Sequence, residues 1–497
     1  MSETTSFLPL APSQPRALRT FPRLDSTSIP ELHREIQSIY LADGRPWVIG
    51  YSGGKDSTCA LQLIWYALSE LPREALTKPV YVLSSDTRVE TPVIVRYIDA
   101  TLENINLAAR RERLPIEAHK VVPDVDRSFW ANLIGRGYPA PTRRFRWCTE
   151  RLKIEPANAF IRARVAEYGE VVMVLGVRSS ESATRAQVMS LHRIRDSRLA
   201  RHTSLLNAFV YAPIEAFSVD DVWTYLLQVP SPWGNDNRDL VAMYRNAQAG
   251  ECPLVVDTST PSCGNSRFGC WVCTVVQKDR AMEAMIDSGE EWLTPLLEFR
   301  DQLAETQDPA RKHEFRDFRR RSGHVAFIGE TDTPVPGPYT LDFCRKLLRR
   351  LLQAQVAALR EAPPGEALHL IHDAELHEIR RIWRVERGDW EDSVPTIVRE
   401  VLGRDLEWIQ DDQVSVSGED ARLLAAACSK HGVPLELVAR LVDVERSAVG
   451  LKRRHGVHSR IEEVLAQEWR DVEAVRAERR GALDLAAGAV GAEEATQ

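Results

Sequence analysis

Two stretches of this chain carry residues whose types and spacing suit chemistry. In "YSGGKDSTCALQ", which begins at Tyr51, an apolar run ends in Ser52-Gly53-Gly54-Lys55-Asp56-Ser57 and passes into a helical pattern. A strand that turns into a helix through two glycines gathers backbone N–H groups and the positive end of a helix dipole at one point, which makes an anion site. Gly53 and Gly54 let the backbone approach a phosphate closely, Lys55 adds a point charge, and Ser57 adds a hydroxyl in the first helical turn. The order is shorter than the G-x-x-x-x-G-K-[ST] loop and sets Lys ahead of Asp-Ser; a plain Gly-Gly turn before a helix is the alternative.

The second stretch, "ECPLVVDTSTPSCGNSRFGCWVCTVV", places Cys252, Cys263, Cys270 and Cys273 within 22 residues, the last two as C-x-x-C. A fifth, Cys148, sits in "RRFRWCTERLKIEP". Thiolates this close together suit zinc or an iron–sulfur cluster, since both take several sulfur ligands. A thiol-exchange site would instead want its C-x-x-C at a helix start. Eight cysteines in 497 residues are too sparse for a disulfide framework. Cys59, Cys344 and Cys428 read as small core residues.

These residues need elements to position them. From Ile29 the pattern alternates helix and strand: a strand over Trp47–Gly50, a helix from Ser57 to Leu71, a strand over Val80–Leu83 and a helix from Pro92 to Arg113. A strand near Ile116–Val122, a helix over Glu155–Tyr168 and the apolar run Glu170–Val177 continue it. That alternation predicts an α/β fold with a doubly wound, mainly parallel sheet. It stops at Glu251, where the cysteine-bearing part begins, and after the Pro/Gly-rich "TDTPVPGPYT" the pattern is helical throughout. Leu341, Cys344, Leu348 and Leu351 form one stripe, and Ile461, Val464, Leu465, Trp469 and Val472 another. Trp223, Trp292 and Trp383 read as core.

With 64 Lys+Arg against 71 Asp+Glu, a net charge of −7 excludes coating nucleic acid by bulk charge and leaves room for a local basic surface. Arg143, Arg144, Arg146, Arg151 and Lys153 bracket Cys148 and would seat nucleic-acid phosphates there, or form a solvated basic loop. "VPLELVARLVDVERSAVGLKRR" reads as a helix-turn-helix or as a plain helical bundle. No apolar run reaches about 18 residues and the N-terminus has no signal-peptide pattern, so the expectation is a soluble, cytoplasmic protein without membrane contact.

The loop Ser52–Ser57 resembles the PP-loop of the ATP pyrophosphatase superfamily, which splits ATP into AMP and pyrophosphate. "SSDTRVETP" from Ser84, "GVRSSESATR" from Gly176 and "PIEAFSVDDVWTYL" from Pro213 resemble motifs of its phosphoadenosine phosphosulfate (PAPS) reductase branch. The resemblance implies a nucleotide site of Tyr51, Ser52, Gly53, Gly54, Lys55, Asp56, Ser57, Asp86, Thr87 and Gly176. It implies catalytic roles for Lys55, Asp56, Ser57, Arg178, Glu181 and Arg185. Asp56 or Asp86 would hold Mg²⁺, or the carboxylate near the loop simply caps the helix.

Glu-Cys-Gly-x-His, the element that carries the PAPS reductase nucleophile, does not occur, which disfavours reduction to sulfite. Together with "RFRWCTERLKIEP" and the cysteine stretch, the motifs resemble the DndC family, the PP-loop components of bacterial DNA phosphorothioation systems. That resemblance implies sulfur incorporation into the DNA backbone, use of ATP, and a [4Fe-4S] cluster drawing on Cys148, Cys252, Cys263, Cys270 and Cys273. It also implies DNA, other phosphorothioation-system proteins and a cysteine desulfurase as partners. A PP-loop tRNA thiolase and a PAPS reductase are the rival activities. The expected organisation is an arm over 1–27, a PP-loop domain over 28–250, an iron–sulfur segment over 251–338, a helical domain over 339–485 and a disordered tail over 486–497.

Overall fold

A computed structural model of the chain describes residues 28–181, 191–194, 197–247, 269–366, 368–407, 418–446, 448 and 456–494. Its centre is a six-stranded sheet in the order β3-β2-β1-β4-β6-β5. The strands are β1 (Trp47–Gly50), β2 (Val80–Ser85), β3 (Ile116–Val121), β4 (Val171–Val174), β5 (Ala200–Arg201) and β6 (Ala208–Tyr211). All neighbours run parallel except the β5–β6 pair, which is antiparallel at the edge.

β1, β2 and β4 are buried along their whole length, which is why they read as continuous apolar runs: helices cover both faces of a parallel sheet. Alternate residues divide between the two layers. Trp47, Ile49, Val80, Val82, Val172 and Val174 pack under α1 (Ser28–Leu41), α2 (Lys55–Ser69) and α3 (Pro92–Glu112). Val48, Tyr81, Leu83, Val171 and Met173 face the helix Glu155–Tyr168 through Ala157 and Ile161.

A third core spans residues 129–152, 271–303 and 339–406 without a break. Trp130, Trp271 and Phe299 pack as a triangle with ring centroids 5.7–5.9 Å apart. Indole N–H groups fasten the C-terminal helices to the first segment: Trp130 donates to the Leu370 carbonyl (2.6 Å) and Trp383 to that of Ile134 (2.9 Å). Trp292, Trp383, Cys59, Cys344 and Cys428 are buried, and Trp223 is partly buried.

Several boundaries differ from the sequence reading. The helix after the glycine loop begins at Lys55 rather than Ser57, and the fourth strand is Val171–Val174 rather than Glu170–Val177. The β5–β6 hairpin has no counterpart in the reading, because a two-residue strand is too short to show a period. The stripe from Ile461 to Val472 is not one helix. The chain leaves the helix after Leu465, and the Trp469 indole folds back to donate to the Val464 carbonyl (2.8 Å), leaving Leu465 exposed. A last helix, Val472–Glu494, occupies residues 486–494 where a disordered tail is expected; the run of alanines there favours helix. Among the described residues no helix is long and apolar enough to cross a membrane.

Candidate active site

The strand order reverses at β1, whose neighbours β2 and β4 lead the chain in opposite directions, and ligands of such sheets sit at the carboxyl ends of the strands beside that point. The loop Tyr51–Gly54 leaves β1 there. Gly53 has φ +72°, a conformation that glycine tolerates without strain. Gly176, just past β4, lies so close to α2 that a Cβ would meet the Asp56 carbonyl oxygen at 2.5 Å and the Ser57 Cα at 2.8 Å. Only glycine lets β4 and the first turn of α2 meet.

Gly54 is the N-cap of α2 and supplies no capping side chain, so the helix opens with its N–H groups turned toward the loop. Within the loop the Ser57 hydroxyl donates to the Gly54 carbonyl (3.0 Å), accepts from the Ser52 N–H (3.2 Å) and meets the Ser52 hydroxyl at 3.1 Å. The loop is thus internally braced before any ligand arrives. Tyr51 is buried in the core, and its N–H donates to the Leu83 carbonyl (2.9 Å), so its side chain does not face the loop's open side.

The charged residues of the loop are paired. Asp56 accepts from Lys55 Nζ at 2.7 Å through one oxygen and from Arg178 Nε at 2.7 Å through the other. All three are buried, and Arg178 reaches on to the Ser180 hydroxyl (3.0 Å). Glu181 closes the short turn Ser179–Glu181, while Arg185 lies outside the described residues. One residue here escaped the sequence reading. The Tyr244 hydroxyl accepts from the Lys55 N–H (3.2 Å), and the Lys55 ammonium lies 5.2 Å from its ring centroid. The helix Asn237–Ala247 carries Tyr244 and is held on α2 by Gln62, whose amide donates to Asn237 Oδ1 at 2.9 Å.

The loop after β2 joins this site to the cysteines. At its start the Asp86 carboxylate accepts from the Arg88 N–H (2.8 Å) and lies 3.4 Å from Lys120. At its end the backbone pairs with the cysteine segment: the Trp271 N–H donates to the Val89 carbonyl (3.0 Å) and the Thr91 N–H to that of Gly269 (3.1 Å). The buried Thr87 hydroxyl lies 3.4 Å from Cys270 Sγ, and Glu90 accepts from both Thr87 (2.9 Å) and Lys153 (3.4 Å).

Cys270 and Cys273 share a tight turn, closed by the Cys273 N–H on the Cys270 carbonyl (3.1 Å). Arg300, fully buried, donates to the carbonyls of Cys273 (3.0 Å), Gln277 (2.8 Å) and Val276, a fastening with no local sequence signal. Burial pushes the Cys148 thiol up to about 11, with the neighbouring Cys273 adding to it and the Lys153 ammonium opposing it. Burial also raises Cys270, Glu90 adds to that, and Lys153 again opposes it. Cys148 and Cys270 thus both feel the Lys153 ammonium and Cys273, whereas Cys252 and Cys263 lie outside the described residues. Among the described residues no three His, Cys, Asp or Glu side chains close on a single ion. Arg143 and Arg144 are exposed, on a turn closed by Thr142 and Phe145.

The topology and the glycine loop at its switch point define an α/β protein of the PP-loop kind. Residues 46–275 match the phosphoadenosine phosphosulfate reductase domain family. Residues 419–466 match a family described as a small protein found in certain Dnd DNA modification systems. An uncharacterized protein of Methanocaldococcus jannaschii is 28% identical over 198 residues, 40% of this chain and 35% of that protein, so the match spans about a third of the relative's length. Among solved structures, the PAPS reductase of Candida auris aligns with a TM-score of 0.27 at 15% identity, covering 44% of this chain and 92% of that one. The U34-tRNA thiolase NcsA of Methanococcus maripaludis, solved with its [4Fe-4S] cluster, aligns with a TM-score of 0.25 at 11% identity, covering 57% and 80%.

Proposed function

We propose that this chain is a PP-loop ATP pyrophosphatase and sulfurtransferase that places sulfur in the DNA backbone, working with other proteins of a phosphorothioation system and a cysteine desulfurase as sulfur source. The observation that carries the reading is the pairing, on one chain, of a PAPS reductase-like match over 46–275 with the Dnd-system match over 419–466.

Chemically, a non-bridging phosphodiester oxygen leaves too poorly to be displaced. If that oxygen attacks the α-phosphorus of ATP, pyrophosphate departs and the oxygen becomes part of a leaving AMP. Sulfur at the oxidation level of sulfide then bonds to the DNA phosphorus, and AMP carries the original oxygen away. The first-turn N–H groups of α2, set in place beforehand, and Lys55, once it exchanges Asp56 for a phosphate, stabilise the charge that grows on pyrophosphate. Ser57 braces the loop, and Asp56, itself held by Arg178, keeps Lys55 beside the loop until a phosphate takes its place. Glu181 and Arg185 complete the reacting site in this reading. Mg²⁺ would be taken by Asp86 or Asp56, in either case displacing a cation now paired with the carboxylate: Lys120 at Asp86, Lys55 or Arg178 at Asp56.

The thiols suit an iron–sulfur group: soft donors in partly buried positions, with the Lys153 charge acting on Cys148 and Cys270 to offset thiolate charge. Cys148, Cys270 and Cys273 would hold it, with Cys252 or Cys263 as the further ligand. When bound, a [4Fe-4S] cluster supplies a place to carry sulfide.

Mass spectrometry of nuclease-digested DNA and RNA from cells carrying the gene with its neighbours tests the reading. Phosphorothioate-linked dinucleotides should appear with the wild type and vanish with Ser57→Ala and with Cys273→Ser. Dinucleotides absent from the wild type, with thiolated tRNA bases responding to the same substitutions, would replace DNA by tRNA as the sulfur acceptor.

A further inference from the structure

A cavity of about 530 Å³ is walled by residues 138–151 and by 306–339. Arg151, Lys312, Arg316, Arg320 and Arg321 line it, and among the described residues no Asp or Glu does. None of these five cations has a carboxylate within ion-pair distance among the described residues, in a chain whose net charge is −7. Among the described residues Arg316 is tied to backbone carbonyls, with Nε donating to Gly337 at 2.6 Å, and burial, to which the nearby Arg320 adds, depresses its pKa. Arg151 and Arg321 lie on the Tyr138 ring, 5.2 and 4.9 Å from its centroid. So much unneutralised positive charge is costly to assemble and calls for a polyanion.

Aromatic side chains complete the walls. Trp147 and Tyr339 are buried behind the cations, while Phe145 stands 46% exposed at the mouth. The cavity is of the size that takes one small organic ligand and is too small for a duplex. It is also next to the cysteines. Trp147 precedes Cys148 in the chain, and Gln307 donates to the carbonyl of Thr274, the neighbour of Cys273, at 3.2 Å.

We infer that this cavity binds one unpaired nucleotide of a nucleic acid strand, with flanking phosphates on Lys312, Arg316, Arg320 and Arg321 and the base against Phe145. A base must leave the duplex to enter such a space, and cations plus an aromatic face are the usual means of holding it. The inference deepens the function proposed above and rests on that reading for what becomes of the bound strand, though not for the binding itself.

Fluorescence anisotropy of the full chain with a labelled single-stranded DNA oligonucleotide, the same strand paired, and the same sequence as RNA tests it. Lys312→Glu with Arg320→Glu should weaken single-strand binding roughly tenfold or more and flatten the plot of log affinity against log salt by about 1.4, two phosphate contacts being lost. Phe145→Ala should weaken it about fivefold or more, leave the salt slope unchanged, and abolish the quenching of 2-aminopurine in the strand. Circular dichroism and thermal midpoints matching the wild type exclude misfolding. Equal affinity and slope in the charge-reversed and wild-type proteins, no single-strand binding by the wild type, or preference for the paired strand would each overturn the inference. Binding as expected without phosphorothioate in cells leaves the cavity standing and removes the DNA-sulfur reading. Preference for RNA likewise upholds the cavity and favours a thiolase.

Discussion

Replacing Asp56 by Asn tests whether the loop is a charge-balanced anion site. Asp56 lies between Lys55 Nζ and Arg178 Nε, at 2.7 Å from each, and its side chain is 10% exposed, so solvent screens little of the interaction. Removing one partner of a buried, hydrogen-bonded charge pair costs about 3–5 kcal/mol, because the other charge is left desolvated and unpaired. Asparagine keeps the shape and one acceptor, which puts the loss at the lower end, about 3 kcal/mol. For a unit of this size that lowers the melting temperature by roughly 6–12 °C. A polyanion supplies the missing negative charge. In the wild type Lys55 must leave Asp56 to reach a phosphate, whereas in the variant it is already released. Pyrophosphate should therefore bind the variant more tightly, by about tenfold, and raise its melting temperature more than that of the wild type. Differential scanning fluorimetry across a pyrophosphate titration reads both quantities. A stability loss under about 1 kcal/mol, or weaker pyrophosphate binding by the variant, would refute the argument.

Two further outcomes follow from side chains outside the loop. Arg300→Met keeps the apolar bulk and leaves the carbonyls of Cys273, Val276 and Gln277 without a donor. Iron affinity measured by anaerobic reconstitution should fall about tenfold, as when a partner behind a metal ligand is lost, with a lower melting temperature of the iron-free chain as the independent readout. His202 is buried, and its Nδ1 accepts from the N–H groups of Ser204 (3.2 Å) and Leu205 (3.0 Å), which only a neutral ring allows. Burial lowers its pKa below the ordinary 6.5, so its contribution to stability is present above about that pH and lost as pH falls toward the folded value. Urea midpoints should drop on going below pH 6.5 in the wild type and drop less in His202→Ala.

The parallel sheet was legible because its signals are local. Each central strand is a short apolar run, each helix carries a period, and the loop that joins β1 to α2 has a composition few other turns share. The first four strands and the helices between them follow from those signals. The β5–β6 hairpin did not, since its pairing depends on a turn pinned by His202 and on the edge of a sheet already formed. The same division runs through the site. Gly53, Lys55, Asp56 and Ser57 were readable as a group because they adjoin one another. Arg178 came only from a motif resemblance, and its 122-residue reach to Asp56 has no sequence signature. Tyr244 and Arg300 carried none at all: a tyrosine in an amphipathic helix and an arginine in another look like ordinary surface residues until packing shows where their polar ends go.

The cysteine turn and the glycine loop stand on different elements, yet one short segment ties them. Asp86 and Thr87 follow β2, which is hydrogen-bonded to β1, so the start of this loop is fixed relative to the strand that delivers the glycines. Three and four residues later Glu90 and Thr91 pair with Cys270 and Gly269, so its end is fixed relative to the thiols. Arg88, between them, has a left-handed backbone (φ +60°) that a non-glycine residue adopts only where surrounding contacts hold it. The loop is therefore a rigid link rather than a flexible connection. The function proposed above would need both ends held in register, and this segment, hydrogen-bonded to the sheet at one end and to the cysteine turn at the other, holds them so.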